Sequence, residues 1–408
     1  MKLETITKSI YDGKHGDCKN KVGSGCYFIS VKDIREYDID YSNAREIDET
    51  DFTQAYARTN LEKGDIIYAN TGDTIGKSIF VNDSPLIKKT SFQKSLAVIK
   101  PDTNYVEPRY LYYLLKYETP RLRNAATGSG QKNLLLATMR DFSVNIVDRD
   151  KQKKIVSVLG VIDDKIRTNN AINDNLAQQA KLLYDYWFTQ FDFPDENGKS
   201  YSSSGGQMEW NNIVKRNIPT GWKVVPFTDI ASWESNSQPP KSEFIYTPQN
   251  GYVRFIQNRD YDSNAHKTYI PLTKNLSIVD RLDILMDKYG DAGAVRYGIE
   301  GAFNVALGKI NVHNKNLREY IRSFLESDGI YTFLHNSCMA STRASLSESN
   351  LSILSIVIPD DVTVAKYEEL LNKIRNRILN NNDETEKLIE IRDFLLPLLM
   401  NGQATIAD

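Results

Sequence analysis

The sequence contains one long segment twice, and this duplication limits the possible folds more than any other feature. Residues 142–187 and 354–399 align without a gap at a constant offset of 212 residues. The matched pairs are Ser143/Ser355, Ile146/Ile358, Asp148/Asp360, Lys154/Lys366, Leu159/Leu371, Ile162/Ile374, Ile166/Ile378, Asn169/Asn381, Leu176/Leu388 and Leu183/Leu395. Solenoid repeats are much shorter, at roughly 20–50 residues per unit. We therefore expect a duplicated domain with its helix, related by a pseudo-twofold axis and suited to a two-part target or to two copies of one partner.

Length and composition indicate a folded protein of two domains. At about 100–200 residues per domain, a chain of 408 residues holds two or three domains, and the duplication favours two. The charged fraction of 25% and the apolar fraction of 40% are ordinary for a soluble protein. There is no apolar run of membrane-spanning length and no signal-peptide pattern, and the three cysteines suit a reducing compartment. We expect a cytoplasmic protein.

Net charge alone does not indicate a nucleic-acid partner. The 51 basic and 53 acidic residues give a formal charge of −2, so no overall positive field would attract phosphate. The charge is uneven locally, because the stretch 85–101 carries four lysines and no acidic residue. This stretch is either a solvated basic face or a surface that contacts phosphates.

Both repeated segments carry apolar residues at alternating spacings of four and three, which is a heptad pattern. The pattern predicts two long helices in a left-handed, antiparallel coiled coil, most simply with each other. Both seams turn polar at the same two central positions, Asn169 and Asn173 in the first and Asn381 and Thr385 in the second, and such residues often fix the register of a helix pair. The alternative is two amphipathic helices that pack separately on their own domains. The seam residues are Leu159, Ile162, Ile166, Asn169, Leu176, Leu183, Leu371, Ile374, Ile378, Asn381, Leu388 and Leu395.

Changes in pattern divide the chain into five segments. Pro, Gly and Ser interrupt the periodicity after the first helix, and short β-rich runs with Gly- or Asn-bearing turns precede each helix. The expected fold class is α+β, with two pseudo-repeated mixed α/β globules that each lead into a long helix. The expected segments are a first globule at 1–150, a helix at 151–190, a linker at 191–217, a second globule at 218–360 and a helix at 361–403.

The two globules also share weaker similarities. The stretch 91–99 overlays 302–310, and the match places Gln93 and Asn304 at the same position before a strand. An amide there can offer both a donor and an acceptor to a base edge, although capping of a turn or strand is the simpler interpretation.

Several phrases of the chain resemble those of one protein family. The phrases DGKHGD, KIVSVLGVIDDKI, FDFPDENGKSYSSSGGQMEWN, IPTGWKVV and GAFNVALGKI are similar to recurring ones in the specificity (S) subunits of type I restriction-modification systems. The resemblance covers nearly the whole chain, and the second helix is its weakest part.

The resemblance implies a non-catalytic DNA-binding protein whose two globules are target recognition domains. Each domain would read one half of a bipartite target in double-stranded DNA, and the helices would set the gap. The implied partners are two modification (methyltransferase) subunits and often restriction subunits, with S-adenosylmethionine bound by the methyltransferase. Two alternatives stay open: a specificity-like subunit of another phage-defence methyltransferase complex, and a coiled-coil scaffold whose globules bind protein or sugar.

Motif-like stretches of the chain do not support catalysis or metal binding. GDTIGKS at 72–78 has three residues between its glycines where a P-loop has four, so a DNA-facing turn is the simpler interpretation. His15, Cys18 and Cys26 lack a fourth ligand at zinc spacing. The sequence therefore predicts no catalytic residue, no metal site and no cofactor on this chain.

Polar and basic residues in the turns of the globules are the candidates for DNA contact, with a solvated surface as the alternative for each. Arginine suits guanine edges because its planar fork can bond bidentately, whereas lysine more often holds phosphate. The first-half candidates are Lys14, His15, Thr71, Lys77, Lys88, Lys89, Gln93, Lys94, Gln131 and Lys132. The second-half candidates are Arg254, Gln257, Arg259, Tyr289, Arg296, Asn304, Thr342 and Arg343.

Overall fold

The chain forms two compact units, of which the first is built from two stretches of sequence and the second from one. The structure is a computed structural model that describes residues 1–128, 130–262, 266–339 and 345–406. The first unit comprises 1–170 with 382–408, and the second comprises 171–381. The boundary falls within both long helices, whereas the sequence predicts boundaries at their ends. The boundary lies inside the helices because one part of each helix packs in the first unit and the other part in the second.

An antiparallel sheet of four strands is the centre of the first unit. The strands of this unit are β1 (Thr7–Asp12), β2 (Tyr27–Ile29), β3 (Ile66–Ala69), β4 (Ser78–Phe80), β5 (Thr90–Phe92) and β6 (Leu96–Pro101). The order in the sheet is β1-β6-β3-β4, and β2 pairs with β5 in parallel beside it. Every residue of β3 is buried, as expected for a central strand covered on both faces.

Helices cover this sheet and lead into the first long helix. They are α1 (Glu49–Thr59), α2 (Pro108–Ala125), α3 (Leu136–Asp141) and α4 (Arg149–Tyr184). A π-helical turn at Asp185–Thr189 extends α4. Tyr110, Leu111 and Leu114 of α2 share a buried apolar cluster with Ile66 and Tyr68 of β3, so α2 holds one face of the sheet.

The second unit repeats this arrangement with additional strands. Its strands are β7 (Met208–Asn211), β8 (Arg216–Pro219), β9 (Lys223–Pro226), β10 (Ala231–Glu234), β11 (Tyr252–Ile256), β12 (Tyr269–Pro271), β13 (Ile278–Val279), β14 (Ile284–Asp287), β15 (Val295–Arg296), β16 (Gly301–Phe303), β17 (Leu307–Val312) and β18 (Ser355–Ile358). Its helices are α5 (Arg318–Glu326), α6 (Asp328–Met339), α7 (Glu348–Leu351) and the second long helix α8 (Asp361–Met400). One sheet has the order β10-β17-β14-β15, and another has the order β12-β11-β16-β13. The mixed α+β fold predicted from the sequence is confirmed.

The two long helices begin in the same way. The Asp148 carboxylate accepts a hydrogen bond from the backbone N–H of Lys151 at 2.9 Å, and the Asp360 carboxylate accepts one from the N–H of Thr363 at 2.9 Å. An aspartate at this position satisfies a free N–H of the first turn and complements the positive end of the helix dipole. The matched aspartates of the repeat are therefore helix caps.

All twelve residues of the predicted seam are buried or half-buried. In the first unit, Asn169 Nδ2 donates to Glu384 Oε2 at 2.8 Å and lies 3.4 Å from Thr385 Oγ1. In the second unit, Asn381 Nδ2 donates to Asn173 Oδ1 at 2.8 Å. The offset of 212 residues maps Asn169 onto Asn381 and Thr385 onto Asn173, so these are equivalent contacts of the two repeats. The polar seam positions hence have hydrogen-bonding partners on the opposite helix.

The segment 191–217, which the sequence predicts as a linker, is packed. Phe191 and Phe193 are only 4% and 5% exposed, and the Phe193 ring stacks on Trp222 with centroids 4.9 Å apart. The segment also contains the first strand of the β7–β8 hairpin. Burial of these aromatic rings stabilises the irregular segment 191–217. The loss of the heptad pattern in the sequence therefore marks the end of the helix, while the chain beyond it is still packed. No helix in the described ranges is long and apolar enough to cross a membrane.

Glu368 on α8 carries a buried carboxyl group. It is 8% exposed, and its Oε1 accepts a bond from the N–H of Tyr320 at 2.8 Å. Burial raises the pKa of Glu368 to about 7, and the nearby Glu319 carboxylate also raises it. The folded-state value thus lies above the ordinary value of 4.5. Such a carboxyl contributes stability that is complete at low pH and is lost as the pH rises through the folded-state pKa.

We predict that Glu368→Gln makes the stability less dependent on pH. The substitution should change the free energy of unfolding little near about pH 4 and raise it by roughly 3 kcal/mol near about pH 8, since one pKa unit corresponds to about 1.4 kcal/mol. Urea unfolding of both chains at the two pH values measures this difference. The control is Glu369→Gln at the exposed neighbouring position, which should have little effect at either pH. An equal effect of Glu368→Gln at both pH values would contradict the assignment.

Candidate nucleic-acid interface

One end of the sheet in the first unit brings most of the first-half candidates together. Neighbouring strands are antiparallel, so β1 and β3 end where β6 and β4 begin. The residues at this end are Lys14 and His15 after β1, Thr71 after β3, Lys77 before β4, and Gln93 and Lys94 before β6. Lys14 and Gln93 form a parallel β-bridge, and the Asn70 N–H donates to the Ser95 carbonyl at 3.1 Å. We call this group, with Gln131 and Lys132, the first sheet end.

Gln131 and Lys132 reach the first sheet end through a backbone bridge. Thr71 pairs with Asn133, and the Gly72 N–H donates to the Lys132 carbonyl at 2.7 Å. Gly72 has φ of +67°, and a Cβ at this position would lie 3.2 Å from Gln131 Nε2. The glycine of the rejected P-loop motif therefore allows this loop to approach the turn after β3.

The lysines of the first sheet end differ in their charge partners. Lys14 Nζ lies 2.6 Å from an Asp51 oxygen, and the His15 ring nitrogen lies 2.8 Å from an Asp12 oxygen. Lys77 and Lys94 are exposed and form no ion pair within the described ranges. Burial lowers the pKa of Lys77, and the neighbouring Arg35 lowers it as well. Lys77 and Lys94 are thus the better placed of these side chains to contact an anion.

Lys88 and Lys89 lie at the other end of β5, away from the first sheet end. They precede β5, whereas Gln93 and Lys94 follow it, and a strand of this length spans about 10 Å. The Lys88 ammonium group lies 5.9 Å from the centroid of the Tyr56 ring. The basic stretch noted in the sequence is therefore divided between two places.

The second unit has an equivalent sheet end. Leu307 of β17 pairs with Asp287 of β14, just as Leu96 of β6 pairs with Ala69 of β3. The N–H of Gln93 donates to the Ile29 carbonyl at 2.9 Å, and the N–H of Asn304 donates to the Ile256 carbonyl at 2.9 Å. The two amides that match in the sequence therefore hold the same backbone position. The second sheet end comprises Gln257, Asn258, Tyr289, Arg296 and Asn304.

The remaining second-half candidates have different surroundings. Arg254 Nη2 lies 3.0 Å from Asp260 Oδ2, and the Arg254 side chain is 11% exposed, so it is held within the protein. Gln257 Nε2 donates to Thr268 Oγ1 at 3.1 Å. The Arg259 side chain is 57% exposed. Thr342 and Arg343 lie outside the described residues.

Two residues at the second sheet end were missed by sequence reasoning, Asn258 and Asp287. Asp287 is 2% exposed and contacts both Asn258 and Arg296. Burial raises the pKa of Asp287, and the hydrogen bond from Arg296 opposes this shift. The signal in the sequence is the similarity of the stretch 64–73 to 282–291, which places Asp287 against Ala69. Among the described residues, no group of His, Cys, Asp and Glu is arranged to hold a metal ion.

Comparison with known proteins identifies the family to which this repeated arrangement belongs. The family model of the type I restriction modification DNA specificity domain matches residues 19–178 and 219–390, which is most of the chain and includes both sheet ends except for Lys14 and His15. The chain belongs to this family. It is a specificity subunit of a type I restriction-modification system, and such subunits are the non-catalytic components that recognise DNA.

Two curated relatives and one solved structure show the extent of the similarity. The HindI specificity subunit of Haemophilus influenzae is 24% identical over 411 aligned positions, which cover 85% of this chain and 88% of the relative. The MjaIX specificity subunit of Methanocaldococcus jannaschii is 25% identical, with 95% and 88% covered. The S subunit of a type I system from M. genitalium superposes with a TM-score of 0.53 at 13% identity, covering 98% of this chain and 95% of that chain, which shows the shared fold.

We predict that Lys94→Ala weakens DNA binding without changing sequence preference. Loss of one phosphate contact should weaken all DNA sequences about equally and reduce the slope of log affinity against log salt by about one. Titration of target and non-target duplexes at several salt concentrations measures both quantities. Lys88→Ala is the matched control, since this lysine belongs to the same basic stretch but not to the sheet end. Equal effects of the two substitutions would contradict the placement of the interface.

Proposed function

We propose that each sheet end reads one half of a bipartite target in double-stranded DNA. The observation that carries this proposal is that both units place a polar, partly basic group at the same end of an equivalent sheet. Specificity requires side chains that can reach base edges, and phosphate contacts position them. Exposed lysines beside amides, as in Lys94 with Gln93, supply both kinds of contact in the first unit.

We further propose that α4 and α8 pair along their length as an antiparallel coiled coil that sets the gap between the two half-sites. The equivalent hydrogen bonds of Asn169 and Asn381 support this pairing, as does the burial of both seams. The seam from Ile155 to Trp187 covers 33 residues, or roughly 50 Å at about 1.5 Å per residue. Half-sites one turn of DNA apart, about 34–36 Å, would fit within this length.

The partners that this proposal assigns are two methyltransferase subunits, with restriction subunits joining the same complex. Two equivalent helix surfaces in one chain suit two copies of one partner. S-adenosylmethionine is assigned to the methyltransferase and not to this chain.

The proposal predicts how engineered chains change the pattern of methylated adenines in host DNA. Replacement of residues 223–360 by the equivalent domain of another specificity subunit should change one half-site only. Removal of one heptad from both helices should shorten the unspecified gap and leave both half-sites unchanged, and insertion of one heptad should lengthen it. Sequencing of methylated adenines reads out each result. An exchange that alters both halves, or a gap that stays constant, would show that this arrangement is wrong.

A second prediction concerns the composition of the complex. Native mass spectrometry should find two methyltransferase subunits per chain, and a stable one-to-one complex at saturating partner would argue against two equivalent sites. Leu371→Asp should prevent assembly, because Leu371 is fully buried and an unpaired charge there costs several kcal/mol. Leu370→Asp is the matched control, since Leu370 is 41% exposed.

A further inference from the structure

Three structurally equivalent positions hold apolar residues in the first unit and polar or charged residues in the second. The strand registers make Asp287 equivalent to Ala69, because these residues pair with the matched leucines of the central strands. Two residues earlier in the same strands, Leu285 pairs with Arg296 where Ile67 pairs with Ile79, so Arg296 is equivalent to Ile79.

The third position follows from the parallel strand pairs. Ile29 pairs with Phe92 in the first unit, and Ile256 pairs with Phe303 in the second. Two residues after each isoleucine stand Val31 and Asn258, which are therefore equivalent. The first unit thus has the set Val31, Ala69 and Ile79, whereas the second has Asn258, Asp287 and Arg296.

The apolar set of the first unit is part of its hydrophobic core. Ala69 and Ile79 belong to one buried cluster, and the half-buried Val31 packs against it. This part of the fold therefore accepts apolar side chains at all three positions.

In the second unit the same positions form a hydrogen-bonded group around one buried carboxylate. Asp287 Oδ1 accepts from Asn258 Nδ2 at 2.8 Å. Asp287 Oδ2 accepts from Arg296 Nε at 3.2 Å and from Arg296 Nη2 at 2.7 Å. The Arg296 guanidinium also lies 5.7 Å from the centroid of the Tyr261 ring, and its Nη2 lies 3.5 Å from Asp291 Oδ2. Both polar side chains are thus fixed in orientation by Asp287.

A gain in stability does not by itself explain why the second unit has Asn258, Asp287 and Arg296 at these positions. Burial of a carboxylate and a guanidinium requires their desolvation, and well-packed apolar residues in place of such a pair are often neutral or stabilising. The first unit shows the apolar solution on the same backbone. The fold therefore does not require the polar set of the second unit for its stability.

We propose that Asp287 is a positioning residue that holds Arg296 and Asn258 as a base-reading pair in the second recognition domain. This inference rests on the proposed function of the sheet ends. Asp287 occupies the Nε side of the guanidinium, and Arg296 Nη1 makes no hydrogen bond within the described ranges, while 26% of the side chain is exposed. The remaining edge of the fork carries an Nη1 N–H and the second Nη2 N–H, and the latter makes only a 3.5 Å contact with the half-exposed Asp291. The O6 and N7 acceptors of guanine would replace that contact and accept from this edge.

Asn258 complements Arg296 in what it can recognise. After one N–H donates to Asp287, the other N–H and the amide oxygen make no hydrogen bond to any of the described residues. This donor and acceptor match N7 and the N6 amino group of adenine. The second half-site is therefore expected to contain a guanine read by Arg296 and an adenine read by Asn258, and Asp287 touches neither base.

Sequencing of methylated adenines in host DNA tests this assignment, using full-length chains together with their methyltransferase. The variants are Arg296→Ala, Asn258→Ala, Asp287→Ala and a triple variant, Asn258→Val with Asp287→Ala and Arg296→Ile, which introduces the residues of the first unit. Arg296→Ala should relax one G·C position of the second half-site, from discrimination of about 5- to 150-fold to less than about threefold. Asn258→Ala should relax one A·T position. Asp287→Ala and the triple variant should relax both positions, and thermal unfolding should show that the triple variant is folded.

The first half-site is the internal control, because the other unit reads it. Unchanged discrimination at every position of the second half-site would overturn the inference, and so would equal weakening of all sequences, which indicates a phosphate contact. An unfolded triple variant would show that the group is structural and would also overturn it. If the parent chain directs no bipartite methylation at all, the proposed function fails as well. A bipartite pattern that the variants leave intact removes this inference alone.

Discussion

The register around the central strands β6 and β17 is the constraint on which the two sheet ends depend. Each of these strands has an antiparallel neighbour on both sides, so the ends of two strands and the beginnings of two others must meet at one place. A shift of one residue would turn every side chain of the strand to the opposite face. Leu96 and Leu307 are fully buried, and their burial holds this register in both units.

Once that register is set, the two units are free to differ at their polar sheet ends. The backbone hydrogen bonds of Gln93 and Asn304 are the same, although their side chains differ. In the first unit the positions behind this surface are apolar, and in the second they carry Asp287 and its two partners. A fold supported by backbone pairing and by buried leucines thus permits the side chains at the sheet ends to change without loss of the sheet.

The long helices connect the recognition domains through a different kind of constraint. Their starts are fixed locally by Asp148 and Asp360, and their seams are fixed by burial of apolar residues that recur every three or four positions. Asn169 and Asn381 add hydrogen bonds that an apolar seam would lack. Such polar contacts favour one register of the helices over its neighbours.

The sequence by itself determined the duplication, the α+β class, the two long helices and the burial of their seams, because these follow from periodicity and capping over short distances. It also indicated that polar turns would carry recognition. Only the tertiary structure decided which turns meet. It separated Lys88 from Lys94, tied Arg254 to Asp260, packed the predicted linker through Phe193, and surrounded Asp287 with Asn258 and Arg296. These outcomes depend on strand order and on contacts between residues far apart in the chain, which no local pattern specifies.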